Sequence, residues 1–454
     1  MSRYHILGFA VAAFAVSSPT HAQQPSAVGV WATQGYGLVL DIRTDSISIF
    51  EVTKLSCIRQ MSARMTSPPL GALAAFSHPT APVTLTILPG GSATEARLHV
   101  PFAASDRIIR RIGGKPAICD KPTPDTPLSN FDVFATTWAE HYPFFADKKV
   151  NWDTVVATNR ARVSATTTPE QLFEILSGMI APFEDAHSSI TAQSMNRRFS
   201  GVRRTASFLT TPDDRTQGYA LVSAHLTTPL RSFCEGRVEF GMLAPDVGYL
   251  RVRGFSGYTK DGSFENGLAA LEAALDTAFT NIRGWKGLVI DVRINGGGAD
   301  PYGLAIARRL TATPYTAYAK QARSDPADPS KWTAEQPSVV RPGDRPSFRG
   351  PVVELIGVQS VSAAETFTQA LLNRTPKVVR VGETTQGVFS DVLGRTLPNG
   401  WRFGLANERF VTNGKSYDHT GIAPDVVVES LTAAARTTGR DAAVERALTI
   451  LKGG

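Results

Sequence analysis

The pattern of apolar and polar residues divides the chain into three regions. In the first, residues 27–121, short runs of alternating apolar and polar residues lie between turn residues, which predicts a small antiparallel β domain. These runs are Gly37–Ile42, Ser46–Phe50, Val83–Ile87 and Arg97–Val100.

The second region, residues 128–200, has the periodicity of helices. Four aromatic residues recur at the spacing of one helix face: Phe131, Phe134, Trp138 and Tyr142. Further on, Thr168 is followed by proline and, at the third position, by Gln171, which is typical of a capped helix start. We therefore predict a helical cap domain.

In the third region, residues 201–454, predicted strands and helices alternate. The apolar runs Val247–Val252, Gly287–Val292, Pro351–Val358 and Lys377–Val381 have the length of buried strands. Helical patterns follow Phe264 and cover Ala363–Asn373. Alternation of strand and helix predicts an α/β core with parallel strand pairs.

The beginning of the chain has the layout of a secretory signal. Arg3 precedes the apolar run Ile6–Val16, and a polar stretch ends at Ala22. We predict that residues 1–22 are removed and that the protein is exported, to the periplasm or the medium. No later run reaches about 18 apolar residues, so no integral membrane segment is expected after signal removal.

Charge and cysteines add little to this picture. The formal net charge is +7, a modest excess for 454 residues. Cys57 and Cys119 lie in the same region, and export favours a disulfide between them, with Cys234 free. The local cluster Arg197, Arg198, Arg203 and Arg204 has two interpretations: a solvated basic loop, or a site that attracts substrate carboxylates.

Ser362 is the first candidate for chemistry. It lies where a buried strand ends and a helix begins, so its hydroxyl is near the free N–H groups of the first helical turn. The N–H of Ala363 is the natural donor to an oxyanion. Alternatively, Ser362 is only a helix cap that forms a capping box with Glu365.

Three glycines, residues 296–298, follow another buried strand. Glycine permits close approach of the backbone to a ligand, so one N–H is a candidate second oxyanion donor. The alternative is a tight turn between strand and helix. No phosphate-binding or dinucleotide motif accompanies these glycines.

A serine nucleophile needs a base, and two histidines are candidates. His187 lies at the end of the helical region, and His419 lies near the end of the core. No histidine or cysteine has metal-ligand spacing. We therefore predict no metal, no cofactor and no nucleic-acid partner.

Five motifs in this order resemble the C-terminal-processing (tail-specific) serine peptidases, and more closely the branch of the tricorn protease core and the interphotoreceptor retinoid-binding repeats. They are Ser-Ala-Ala-Glu at 362–365, Asp-x-Arg-x-Asn-Gly-Gly-Gly at 291–298, Gly-Glu-Thr-Thr-Gln-Gly at 382–387, Leu-Pro-Asn-Gly at 397–400 and Gly-Ile-Ala-Pro-Asp at 421–425. Residues 183–187 resemble the Asp-x-His segment of that branch. The resemblance covers about residues 130–430.

The resemblance implies a crotonase-like (ClpP-like) α/β core and a catalytic Ser362–His187–Asp418 system. Gly297 and the N–H of Ala363 would form the oxyanion hole. Val388 stands where the Ser–Lys branch has its lysine, which favours the triad. The segment between His187 and the core strand at residue 247 is short for an inserted peptide-binding PDZ domain.

We therefore predict an exported serine peptidase that acts on peptides or unfolded proteins. The alternative on the same scaffold is a non-catalytic binding module for apolar ligands or peptides. Neighbouring residues in an extended segment point to opposite sides. We accordingly expect His419, next to Asp418, to face solvent, and His187 to be the base.

Overall fold

The computed structural model describes residues 26–78, 83–280, 282 and 284–453. The predicted signal segment lies outside these residues. In the described part, no helix is both long and apolar enough to cross a bilayer.

The predicted β domain is a closed antiparallel barrel of eight strands. Its strands are β1 (Gly29–Thr33), β2 (Leu38–Ile42), β3 (Ser46–Val52), β4 (Cys57–Thr66), β5 (Ala74–Ser77), β6 (Thr84–Pro89), β7 (Glu95–His99) and β8 (Arg107–Ile112). Each strand pairs with the next, and β1 closes the barrel by pairing with β8. Side chains such as Trp31 and Phe76 fill the interior, as in other small barrels. Cys57 and Cys119 form the predicted disulfide.

The helical region contains α1 (Pro127–His141), α2 (Trp152–Arg160) and α3 (Pro169–Ile180). The aromatic face of α1 is fully buried, including Tyr142 just after the helix. Thr168 and Gln171 form the predicted capping box at the start of α3. The cap and the barrel share one hydrophobic cluster, so they pack as a unit.

A four-stranded sheet joins the cap to the core. β9 (Ser189–Ala192) and β10 (Arg197–Ser200) come from the predicted cap region. β9 pairs with a strand much further along the chain, Arg402–Ala406, which is β22 in the chain order given below. This long-range pairing holds His187, two residues before β9, against the core.

The core is built on a seven-stranded sheet. After α4 (Pro212–Ala220), the chain adds β11 (Arg231–Phe233), β12 (Val238–Ala244), β13 (Val247–Val252), α5 (Phe264–Phe279), β14 (Gly287–Asp291), β15 (Ile294–Asn295), α6 (Asp300–Arg308), β16 (Tyr315–Ala322), β17 (Gln336–Val340), β18 (Val352–Ile356), β19 (Gln359–Ser360), α7 (Ala363–Ala370), β20 (Val379–Gly382), β21 (Val392–Thr396), β22 (Arg402–Ala406), β23 (Glu408–Thr412), β24 (Lys415–Ser416), β25 (Val426–Val427), α8 (Ala433–Thr438) and α9 (Ala442–Lys452). The sheet order is β11-β12-β13-β14-β18-β20-β25, and the strands from β13 onward are parallel.

Helices cover both faces of this sheet. Leu271 of α5, Ile306 of α6 and Phe367 of α7 pack on one face, and Val444 and Leu451 of α9 pack on the other. Burial on both faces explains the continuous apolar runs of the central strands. The fold is thus the predicted α/β core with a helical cap and an N-terminal β domain.

Candidate active site

Ser362 lies at a sharp turn between strand and helix. β19 ends at Ser360, and α7 begins at Ala363. Ser362 itself has φ 59° and ψ −121°. This backbone conformation is energetically unfavourable for any residue that has a side chain. A strained turn of this kind presents the nucleophile of many serine hydrolases.

Gly297 makes room for this turn. Its φ is +88°, and a Cβ placed there would lie 2.6 Å from Ser362 Cβ and 2.7 Å from Val361 O. Neither neighbour can retreat easily, because both belong to the turn. Only glycine fits here, so Gly297 positions the candidate nucleophile.

The two predicted oxyanion donors differ in availability. Among the described residues, the Ala363 N–H at the start of α7 has no hydrogen-bond acceptor. The Gly297 N–H instead donates to Asn295 Oδ1 at 2.9 Å. The prediction that Gly297 supplies a free donor therefore disagrees with the structure, because the Gly297 N–H is already hydrogen-bonded to the side chain of Asn295.

Glu365 ties the turn to a neighbouring loop. Its carboxylate accepts hydrogen bonds from the N–H groups of Gly387 at 2.6 Å, Val388 at 2.8 Å and Ser362 at 3.3 Å. Burial raises the pKa of Glu365 to about 7. This residue is thus more than the capping partner that the sequence indicates.

His187 is a buried imidazole with a free nitrogen. Its Nδ1 is shielded from solvent and has no hydrogen-bond partner among the described residues. Burial lowers the pKa of His187 below its usual value, against the opposing charges of Asp185 and Asp391. A neutral imidazole is the form that accepts a proton.

One segment, residues 388–390, contacts both candidates. The Ser362 N–H donates to Val388 O at 3.1 Å. The His187 ring lies by the backbone carbonyl of Ser390. No hydrogen bond joins His187 to Ser362 in this structure, so the Ser362 backbone and the His187 ring contact the same segment without forming a dyad.

Asp418 does not hold His187 in this structure. Its buried carboxylate accepts from Phe389 N–H at 3.4 Å, Phe410 N–H at 3.2 Å and the Ser416 hydroxyl at 2.6 Å. Burial raises the pKa of Asp418 to about 7. The carboxylates that act on the His187 ring are Asp185 and Asp391, and the triad geometry implied by the resemblance is absent here.

Asp391 lies in none of the sequence motifs described above. Its carboxylate lies 2.7 Å from the buried Lys320 ammonium, which also pairs with Glu408 at 3.0 Å. The Asp185 carboxylate accepts from the backbone N–H of His187 at 2.8 Å and from the Tyr142 hydroxyl at 3.1 Å. Of the two, only Asp185 lies in a motif that could have indicated its place.

His419 is turned toward the cap and not toward bulk water. It has φ 58°, and its Nε2 lies 3.9 Å from an Asp147 carboxylate oxygen. Its ring is near Phe144, and its side chain is 28% exposed. The side chain is thus only partly exposed to solvent, in contrast to the expected solvent-facing position, because it also contacts the cap.

The lysines after Ser362 do not form a dyad with it. Lys377 pairs with Asp425 at 2.8 Å, and Lys415 lies over the Tyr417 ring. Val388, at the position of the dyad lysine, is buried beside the Ser362 backbone. Within the described ranges, no group of three or more potential ligand side chains could hold a metal ion.

Comparisons with known proteins find peptidases that resemble this chain. Residues 246–428, which include Gly297, Ser362 and Asp418, match the model of peptidase family S41. A candidate peptidase from Parabacteroides merdae ATCC 43184 is 27% identical with a TM-score of 0.61, over 72% of this chain and 97% of that one. Mature CPAF, solved in complex with lactacystin, is 12% identical with a TM-score of 0.51, over 72% of this chain and 97% of that one. At this identity the similarity is one of fold.

None of the curated proteins compared with this chain matches it significantly. His187 lies outside the matched residues, so its role depends on the structure alone. The match nevertheless covers the strand turns that carry Ser362 and Gly297. Residues 246–428 of this chain are accordingly similar to the serine-type peptidases of family S41.

Proposed function

We propose that this protein is an exported peptidase that hydrolyses peptide bonds through an acyl-enzyme on Ser362. The observation that carries the proposal is the strained strand-to-helix turn of Ser362, with the unpaired Ala363 N–H next to it. Such strain persists where the surrounding structure enforces it, and it exposes a hydroxyl in front of a helix N-terminus.

In the proposed reaction, Ser362 Oγ attacks the scissile carbonyl carbon while His187 takes the hydroxyl proton. The negative charge on the carbonyl oxygen is stabilised by the Ala363 N–H. The C–N bond then breaks, and His187 gives its proton to the leaving amine. Water attacks the resulting ester by the same route and releases the second product.

The acidic residues have separate roles in this proposal. Asp185 and Asp391 supply negative charge that stabilises the protonated His187 of the transition state. Asp418 holds the backbone of Phe389, and thereby the segment that contacts both Ser362 and His187. His187 must approach Ser362 when substrate binds, as catalytic hydrogen bonds often tighten only in the complex.

The test is covalent labelling. A fluorophosphonate should modify Ser362 in the wild-type protein, as located by peptide mass spectrometry, and Ser362→Ala should be unlabelled and inactive. Ser330→Ala, a change at an exposed serine, is the matched control and should keep both properties. Equal turnover by folded Ser362→Ala would refute the proposal.

Export is tested separately. The layout of residues 1–22 supports a signal that is cleaved after Ala22. Intact-mass measurement of the protein recovered from outside the cytoplasm should give a chain that starts at Gln23. Recovery of the full-length chain from the cytoplasm alone would contradict this part of the proposal.

A further inference from the structure

A cavity of about 360 Å³ lies next to the candidate nucleophile. Gly296, Gly297 and Val361 are among the residues that line it. Gly297 is close enough to Ser362 that a single added carbon would collide with Ser362 Cβ, and Val361 directly precedes Ser362. A substrate residue in this cavity is therefore within a few bonds of the scissile carbonyl.

Three arginines also line this cavity: Arg215, Arg237 and Arg253. In the described part of the chain, no carboxylate pairs with the guanidinium of Arg215 or of Arg237. Both residues are exposed to solvent, so their charges are available to a ligand.

Arg253 is only weakly neutralised. Its Nη1 is 3.9 Å from Glu239, whose other carboxylate oxygen already takes the Arg251 Nε at 2.7 Å. The Arg253 guanidinium also lies 3.9 Å above the centre of the Tyr219 ring, which limits its motion. The cavity thus has an excess of positive charge that the protein itself does not balance.

The basic cluster noted in the sequence does not account for this charge. Arg197 pairs with Glu174 at 2.5 Å, and the Arg203 guanidinium donates to the carbonyl groups of Thr384 and Thr385. Neither residue lines the cavity. The residues that are available to attract a substrate carboxylate are therefore Arg215, Arg237 and Arg253, and not the cluster at residues 197–204.

We infer that this cavity is a specificity pocket for a substrate carboxylate close to the scissile bond; the inference rests on the proposed peptidase function. The guanidinium fork matches a carboxylate with two parallel hydrogen bonds. The carboxylate comes from an Asp or Glu side chain or from the C-terminus of a short leaving segment. Either source presents the same planar anion to the same arginines.

The experiment uses peptides in matched pairs. The enzyme is first incubated with an unstructured protein, and the cleavage sites are identified by mass spectrometry. Peptides around one site are then made with Glu or Gln at each flanking position, and with a C-terminal acid or amide. We expect kcat/KM for the carboxylate-bearing member to be at least about tenfold higher at one position or at the C-terminus, which also identifies the source.

Variants locate the preference. Arg237→Gln and Arg215→Gln should each reduce the preference, measured as the ratio of kcat/KM for the carboxylate-bearing and neutral peptides, at least about threefold. Arg349→Gln, a change at an exposed arginine outside the cavity, should leave the preference unchanged. Equal rates for both members of every pair, or a preference that survives both variants, would overturn the inference.

Failure of the peptidase proposal gives a different result. If no substrate is cleaved, calorimetry with Ser362→Ala still tests the pocket, using unstructured peptides made in pairs with Glu or Gln at one position and with a C-terminal acid or amide. Tighter binding of the acidic member, lost in Ser362→Ala/Arg237→Gln, supports the pocket without the chemistry. Equal binding of both members overturns it.

Discussion

At the residue scale, the site consists of a few side chains in unusual states. Ser362 has a backbone conformation that its side chain disfavours, and Gly297 occupies a place that admits no Cβ. His187 is buried, and its Nδ1 has no hydrogen-bond partner among the described residues. Each state is costly in isolation, and together they are expected at a reactive site more than in a structural turn.

We predict that His187 is the base and that His419 is not. His187→Ala should reduce kcat by about a thousand-fold or more, as removal of a triad member does. His419→Ala should reduce it less than about tenfold, because His419 contacts the cap and not the segment at residues 388–390. Turnover of an unstructured protein substrate is the measurement, and the reverse ranking would move the base to His419.

The same residue sets the acid limit of activity. Burial lowers the pKa of His187, so the neutral, proton-accepting form persists to lower pH than in a free histidine. The acid limb of kcat/KM should therefore have its midpoint below about 6.5. A midpoint above that value would show that another group titrates.

We also predict that Gly297→Ala inactivates the enzyme. The new Cβ would lie 2.6 Å from Ser362 Cβ at a φ of +88°, so the nucleophile turn must shift. A loss of about a hundred-fold in kcat is expected, because displacements near 1 Å have that effect. Gly178→Ala, where nothing lies within 4 Å of the new Cβ, is the control and should keep full activity.

At the scale of elements, the pairing of β9 with β22 brings the cap to the core. The Ser189–Ala192 strand joins a sheet with residues more than 200 positions later, and it fixes where His187 emerges. The barrel joins the same hydrophobic cluster as the cap. The front domain therefore supports the element that carries the proposed base.

The barrel should depend on its disulfide. Cys57 and Cys119 are 62 positions apart, and crosslinking a loop of this length removes about 4 kcal/mol of chain entropy from the unfolded state. Cys57→Ser/Cys119→Ser should lower the free energy of unfolding by about 2–4 kcal/mol in urea titrations. Cys234→Ser, which removes the free thiol, should change it by less than about 1 kcal/mol. Identical midpoints for the double variant and the wild type would contradict this prediction.

At the scale of the whole molecule, buried carboxyl groups tie stability to pH. Glu354 is fully buried in the central strand β18, and its carboxyl group accepts a hydrogen bond from the Thr368 hydroxyl at 2.8 Å. Burial raises its pKa to about 7. Its folded pKa lies above its unfolded pKa, so its contribution to stability is complete below about 4.5 and is lost as pH rises to 7.

We therefore predict that Glu354→Gln changes the pH dependence of unfolding. From pH 5 to pH 8 the variant should gain on the order of 2–3 kcal/mol relative to wild type, since only the wild type must ionise a buried carboxyl. Urea denaturation at the two pH values measures this difference. Glu335→Gln, a change at an exposed glutamate, should follow the wild type. Parallel behaviour of Glu354→Gln and wild type would refute the assigned cause.

Local patterns in the sequence determined much of this protein. The aromatic face of α1, the capping box at Thr168 and the buried core strands depend on residues a few positions apart, so periodicity and capping chemistry predict them. The junction at Ser362 is equally local, and the five motifs predict the similarity of residues 246–428 to peptidase family S41.

Only the tertiary structure decided what each group contacts. Closure of the barrel joins β1 to β8, and the cap reaches the core through β9 and β22. The Gly297 N–H is taken by Asn295, and the Asp418 carboxylate is taken by three donors other than His187. These partners are set by packing and by long-range strand register, which no short stretch of sequence encodes.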